Sequence, residues 1–503
     1  MSMSHCLPGE PQLATDGSAD DEQRALALFH PAVRAWFERR FPQGPTNAQT
    51  RGWPAIARGE DTLIAAPTGS GKTLSAFLLC IDRLYRAAAQ GELSEAGVQV
   101  VYVSPLKALV VDIRQNLEEP LEQIAQVARE LGFVAPTIRV GSRSGDTPAS
   151  ARVALLKTPP HFLITTPESL YLMITAGKSR EILRSVKTVI VDEIHAVARD
   201  KRGSHLALSL ERLEHVALDR PVRIGLSATQ RPLSRVARLL VGAGARRTDD
   251  AGEPRCNVVD VGHRRKLDLA IELPLRELDA VASNEQMGEV LDQIAELVKQ
   301  RRTTLVFVNT RRLSERLAHL LAERVGAENV AAHHGSLSKD RRARVEQLLR
   351  EGSLKVLVAT ASLELGIDIG PVELVCQIGS PRSIATFLQR VGRSGHSRFA
   401  TPVGRLYPMT RDELVECTAL LRAVHGGRLD ALQLPVAPLD VLAQQLVAEC
   451  SAEDWDDAAL FELVRGAAPY AALSREQFEE VLELVSEGID TGRGKRAAFV
   501  HRD

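Results

Sequence analysis

Aromatic residues are scarce in this chain: Phe, Trp and Tyr together make up 4% of its 503 residues. A broad platform for stacking unpaired bases needs more of them. Cysteine is also sparse. Cys6, Cys80, Cys256, Cys376, Cys417 and Cys450 lie far apart with no CxxC pair. That spacing excludes a zinc or iron–sulfur centre built on clustered thiols and fits a reduced, cytoplasmic setting. No apolar run approaches the roughly 20 residues of a membrane span. The opening residues are small, acidic and turn-forming, without the basic-then-apolar order of a signal peptide, so disorder is expected over residues 1–23. Charge of one sign is missing too. The net charge is −1, whereas a nucleic-acid coat protein would be strongly basic, so any contact with nucleic acid must come from a local track.

The length suffices for about three domains. The stretch around which they are organised is Ala66-Pro67-Thr68-Gly69-Ser70-Gly71-Lys72-Thr73. It follows a short apolar run, Thr62–Ala65, and precedes a helical period over Leu74–Leu84. Strand, Gly-rich loop, Lys-Thr and helix together form the context of a phosphate-binding loop. Glycines let backbone N–H groups turn towards phosphate, and the helix N-terminus adds positive potential. Lys72 can then reach the outer phosphates and the Thr73 hydroxyl can ligate Mg²⁺.

β-rich runs at Val98–Val103, Ile138–Val140, Phe162–Ile164, Thr188–Val191 and Arg223–Leu226 alternate with helical stretches such as Val110–Leu131 and Leu206–Leu218. The alternation predicts an α/β domain with a largely parallel sheet. A polar motif follows each run, where the carboxyl ends of parallel strands bind ligands. Asp192 and Glu193 end one strand: the first carboxylate suits Mg²⁺ and the second can orient and deprotonate water. Residues 243–257 read as a linker. A second strand–helix series follows without a phosphate loop, at Thr304–Val308, Val330–Ala332, Lys355–Ala359 and Leu374–Ile378. Its end carries Arg390 and Arg393, which either complement a helix terminus or reach across a cleft to a γ-phosphate. Asp368 is a Gly-flanked acid that binds ribose or simply turns the chain. His333-His334 has no third ligand nearby and reads as a polar strand end. Gln49 is either a surface residue or a reader of adenine. From about Arg405 the pattern turns helical, and the chain ends as a basic turn enters an apolar stretch, as if inside a domain.

The ordered set APTGSGKT, SPLKAL, TTPESL, DEIH, SAT, HHGSLS, ATASLELGIDIG and QRVGRSGH resembles superfamily 2 helicases of the DEAD/DEAH-box kind. The wording SPLKALVVDIRQNL, GDTPA, TTPESLYLM, HHGSLSKDRR and LDVLAQQLVAE is similar to the large helicase-related (Lhr) family, close to the Ski2-like helicases. The resemblance covers about residues 24–503. It implies two tandem RecA-like α/β domains with parallel sheets, at 24–248 and 249–405, followed by a mostly helical, incomplete winged helix at 406–503. It implies ATP bound by Gln49, Thr68, Gly69, Ser70, Gly71, Lys72, Thr73 and Asp368, and Mg²⁺ held by Thr73 and Asp192. Glu193 would be the catalytic base, with Arg393 and Arg390 near the γ-phosphate. His195, Ser227 and Thr229 would couple hydrolysis to movement, and Lys107, Arg143, Thr166, Thr310 and Ser362 would line the nucleic-acid track. The implied activity is 3′–5′ translocation on single-stranded DNA and unwinding of DNA or RNA–DNA duplexes in DNA repair, by a monomer without membrane contact. An RNA helicase, or an ATPase core that does not unwind, is the alternative. His396 stands where the broader superfamily has Arg.

Overall fold

The computed structural model describes residues 19–67, 69–93, 97–262, 266–364, 370–395, 401–488 and 498–503, without the side chains of Ala108, Val111 and Lys339. Thr68, Asp368 and His396 lie outside the described residues.

The first domain is built on β1 (Thr62–Ala65), β2 (Val100–Val103), β3 (Val140–Arg143), β4 (Phe162–Thr165), β5 (Thr188–Val191), β6 (Val222–Ser227) and β7 (Asn257–Asp260). They form one sheet in the order β3-β4-β2-β5-β6-β1-β7, with every neighbour parallel. Leu63, Ile64, Val101, Val189 and Ile224 are at most 1% exposed. Helices cover both faces of such a sheet, which is why these strands read as continuous apolar runs rather than alternating ones. The order places β6 between β1 and β5. The loops leaving those three strands therefore meet at one edge.

The second domain uses β8 (Asp268–Ile271), β9 (Thr304–Phe307), β10 (Val330–His333), β11 (Val356–Ala359), β12 (Leu374–Ile378) and β13 (Val403–Tyr407), in the parallel order β10-β11-β9-β12-β13-β8. No described helix is long and apolar enough to cross a membrane.

Three sequence expectations change. Disorder does not extend through residue 23: Ala19–Leu26 is a helix whose Ala25 and Leu26 are buried, with Asp20, Asp21 and Glu22 in the first turn, where acids suit the helix dipole. The linker expected over 243–257 belongs to the first domain. Asn257 opens β7, which pairs with β1, and buried Arg247 donates to Asp61 and Glu214 beneath the sheet. The boundary expected at 405/406 falls inside β13, and Cys417 and Leu420 of the next helix, Arg411–His425, are buried in the same cluster as Val391 and Leu406.

The helices Leu439–Cys450, Asp457–Gly466 and Arg475–Glu487 then turn back onto the first domain. Tyr470, Phe478 and Leu482 share a buried cluster with Leu206, Leu213 and Leu240. Arg212 and Glu449 pair across this contact at 2% and 1% side-chain exposure. Gln445 accepts from Arg212 and donates to Ser209, so the buried guanidinium has several partners. A desolvated charge needs such company.

Candidate functional site

A cleft of about 500 Å³ opens at the edge where β1, β5 and β6 end, lined among others by Gln49, Gly69, Gly71, Lys72, Thr73, Asp192 and Glu193. Gly69 and Gly71 hold φ of 79° and 77°, a region that L side chains avoid. Gly71 is the N-cap of the Lys72–Ala89 helix and offers no side-chain cap. The first N–H groups of that helix thus keep their hydrogen-bonding capacity for an anion. Ser70 Oγ donates to Pro67 O at 2.7 Å and Thr46 Oγ1 to Ser70 O at 2.8 Å, which fixes the loop from both sides.

Gln49 does not stand free in the cleft. Its Oε1 accepts from Thr46 N at 2.8 Å in a capping box, and its Nε2 packs so close to Gly71 that a Cβ there would sit 2.9 Å away. The expected reader of adenine is therefore also a brace of the phosphate loop. Phe41 and Gly44 of the preceding turn line the same cleft.

Lys72 Nζ lies 3.2 Å from Glu193 Oε1, with both side chains below 10% exposure. Glu193 adopts φ 43°, an uncommon value for a non-glycine residue, and this aims its side chain into the cleft beside Asp192. Burial opposes ionisation of Glu193, but Lys72, then His195 and Arg393, outweigh it and hold the carboxyl below its ordinary range. Asp192 behaves oppositely. Burial, reinforced by the charge of Glu193, pushes it up to about 7. It accepts from Glu193 N at 2.8 Å and from the Tyr102 hydroxyl. Tyr102 is a β2 residue that sequence reasoning missed; an apolar run gave no sign that its ring would stack on Phe77 and aim its hydroxyl at the acid.

His195 joins the two domains. Its Nδ1 accepts from Ala228 N at 3.1 Å and lies 3.4 Å from Ser227 Oγ, while its Nε2 is 2.6 Å from the Gln389 carboxamide of the second domain. Burial lowers its pKa to about 4. With Nδ1 accepting from Ala228 N, the neutral ring carries its proton on Nε2; the Gln389 atom that faces it is Nε2, and with the carboxamide turned about, Gln389 Oε1 accepts that proton. Thr229 Oγ1 donates to Gly262 O at 3.4 Å, next to the crossing between domains.

The two arginines separate. Arg393 is buried, donates to Glu364 O at 3.2 Å and shares an electrostatic contact with Glu193 across the domain boundary. Arg390 instead binds the Glu364 carboxylate and Gln377 within its own domain and lies over the Phe307 ring, 5.0 Å to the centroid. The expectation that Arg390 works at the γ-phosphate is corrected by these partners. Glu364, which orients both arginines, was missed because it sits inside a motif read for its glycines.

A second groove, about 890 Å³, runs between the domains and is lined by Lys107 and Ser362 of the expected track, with His195, Arg199, Arg311 and Gln389. Lys107 pairs with Asp146 at 2.9 Å. Ser362 Oγ is 2.8 Å from His333 Nδ1, whose Nε2 faces Glu346, so the histidine pair is a polar strand end as read. Arg143, Thr166 and Thr310 do not line this groove. Arg143 lies in β3 itself rather than in the loop after it. The hydroxyls of Thr166 and Thr310 cap the helices Pro167–Thr175 and Arg311–Val325. Both hydroxyls thus serve as helix caps, each accepting from a backbone N–H of the helix it precedes.

Comparison with known proteins agrees with this arrangement. The DEAD/DEAH box helicase profile matches residues 46–236, the helicase conserved C-terminal domain 286–398, and the large helicase-related protein winged helix domain 422–494. The chain belongs to the Lhr family. It is 45% identical over 495 residues to the Lhr helicase/probable uracil glycosylase of Mycolicibacterium smegmatis, covering 92% of this chain and 32% of that protein. It is 46% identical to the ATP-dependent helicase Lhr-Core protein 2 of Thermococcus barophilus, covering 93% and 53%. The solved structure of Mycobacterium smegmatis helicase Lhr bound to ssDNA and AMP-PNP superposes with a TM-score of 0.82 at 46% identity, covering 92% of this chain and 58% of that one. The chain thus spans about a third to a half of the curated Lhr relatives it matches.

Proposed function

We propose that this Lhr-family chain hydrolyses ATP in the 500 Å³ cleft and uses the energy to move 3′ to 5′ along single-stranded DNA held in the groove between its domains, separating DNA or RNA–DNA duplexes in DNA repair. The observation that carries this reading is His195: one ring touches the acid motif, the end of β6 and Gln389 of the other domain. A buried bridge between a phosphate cleft and a domain boundary has no use in a static scaffold.

The residues suit the chemistry. Thr73 and Asp192 line one wall of the cleft and offer hard oxygen donors; they would hold Mg²⁺, which supplies charge neutralisation at the phosphates. Lys72 would bind the outer phosphates. Drawing Lys72 towards phosphate weakens its hold on Glu193, and the carboxylate then becomes a stronger base for the attacking water. Arg393, electrostatically linked to Glu193, would stabilise charge on the transferring group, so that hydrolysis requires the domains to be closed. Contacts to strand phosphates in the groove would make binding sequence-tolerant and salt-sensitive.

The test is steady-state ATPase activity alone and with single-stranded DNA or RNA of equal length. DNA should stimulate strongly and RNA more weakly. Glu193→Gln should lower kcat about a thousandfold, within the range for a lost general base. Absence of hydrolysis by the wild type with either strand would overturn the motor reading. Equal stimulation by RNA would favour an RNA helicase, and hydrolysis without strand displacement an ATPase core.

A further inference from the structure

The segment leaving the second domain holds an arrangement that the ATP site does not explain. Asp430 Oδ2 accepts from Ser383 Oγ at 2.8 Å and from Ala385 N at 3.1 Å. Ser383 is the N-cap of the helix Ile384–Val391, which carries Gln389 and leads to Arg393. Asp430 therefore clamps the start of the helix whose far end meets the acid motif. The next two residues belong to the other domain. Ala431 forms a parallel bridge with Arg231, Leu432 N donates to Arg231 O at 2.8 Å, and Arg235 Nη1 donates to Leu432 O at 2.6 Å. Leu432 is fully buried in the cluster that includes Leu233 and Val236. Arg231 itself binds Asp260, the last residue of β7, and stands two residues after Thr229.

We infer that Asp430 is a positioning residue: with Ala431 and Leu432 it forms a strap that sets the distance between the Ile384–Val391 helix and the end of the first domain's β6 segment, and so fixes where Gln389 and Arg393 stand against His195 and Glu193. Three consecutive residues cannot stretch, so the two domains rotate about this point instead of sliding past it. The strap also runs directly into the helices docked on the first domain, which ties their seating to the ATP cleft. A carboxylate at a helix start both caps the N–H groups and complements the dipole, so this end is held firmly. The inference rests on the proposed ATPase activity for its kinetic readout and on geometry alone for its structural one.

The experiment compares wild type, Asp430→Ala and Asp430→Asn in the full chain. Asp430→Ala should keep KM for ATP within about twofold and lower strand-stimulated kcat about tenfold, as expected for misplaced reacting groups. Asp430→Asn keeps an acceptor oxygen and should restore most of the rate. Amide hydrogen exchange with AMP-PNP and single-stranded DNA supplies the second readout. In Asp430→Ala, exchange should speed up both in residues 383–391 and around 431–433, because one strap holds both. Faster exchange confined to 383–391 with kcat within about twofold of wild type would mean a local cap and would overturn the strap. Loss of rate that Asp430→Asn does not restore would overturn it as well. If the wild type hydrolyses no ATP, the functional reading fails by that control, and exchange alone decides on the strap.

Discussion

The two α/β domains repeat one design and differ at the helix that follows one buried strand. In the first domain β1 runs into the Lys72–Ala89 helix through a loop of glycines, and Gly71 leaves the helix start without a side-chain cap. In the second, β9 runs into Arg311–Val325, and the Thr310 hydroxyl accepts from Leu313 N at 3.2 Å. An uncapped start leaves donors for a phosphate; a capped start has satisfied one of them internally. The second domain instead supplies a buried arginine, Arg393, held by the Glu364 carbonyl, to the boundary. Two similar folds therefore divide the work by one local choice: one presents backbone donors, and the other presents side chains.

The comparison is broken most severely at the arginines. Arg393→Ala should lower kcat about a hundredfold with little change in thermal midpoint, since its electrostatic partner is Glu193. Arg390→Ala should cost about 3 kcal/mol of stability, because Glu364 and Gln377 would lose a buried partner. Kinetics and urea unfolding on both variants separate the roles. The reverse pattern, with stability lost at Arg393 and rate at Arg390, would refute this division.

A second effect is read from pH. His195 is held near 4 when folded and takes up its proton near 6.5 when unfolded. Above pH 6.5 both states are neutral and stability does not change through this group. As pH falls from 6.5 towards 4 the unfolded chain binds a proton that the folded chain refuses, and up to about 3 kcal/mol is lost. Asp192, raised to about 7 in the fold, contributes a slope of the opposite sign over the same range, so the slope of His195 is read as the difference between wild type and His195→Gln in urea unfolding between pH 4.5 and 7.

The smallest effect sharpens the comparison of helix starts. Thr310→Ala should cost about 1 kcal/mol of stability and leave KM for ATP unchanged. Gly71→Ala should cost about 1 kcal/mol from its left-handed backbone and also raise KM for ATP, because its Cβ would press on Gln49. Equal effects on KM would mean that the uncapped helix start has no special part in binding.

Much of the site was legible in sequence because its signals are local. Gly69, Gly71, Lys72 and Thr73 need only the strand before them and the helix after, and Asp192 and Glu193 announce themselves at the end of an apolar strand. The capping role of Thr166 and Thr310 was not legible for the same reason: a Thr just after a strand serves equally as a helix cap or a ligand contact, and the hydrogen-bond partners show the cap. The bounds of individual segments differed where pairing is long-range. Asn257–Asp260 has little pattern of its own and becomes a strand because β1 offers an unpaired edge. Arg390 and Arg393 carry the same charge three residues apart, and the tertiary environment alone gives one to Glu364 and the other to Glu193.

By itself the sequence determined the fold class, the phosphate loop and the order of the motifs, because backbone periodicity and glycine conformation act over a few residues. The tertiary structure alone decided that the C-terminal helices fold back onto the first domain, that His195 meets Gln389, and that Asp430 and Leu432 fasten one strap to two domains. Those contacts join residues more than 190 positions apart along the chain in the case of His195 and Gln389. Their energies depend on burial and on which partner is within reach, and neither is written in any short stretch of residues.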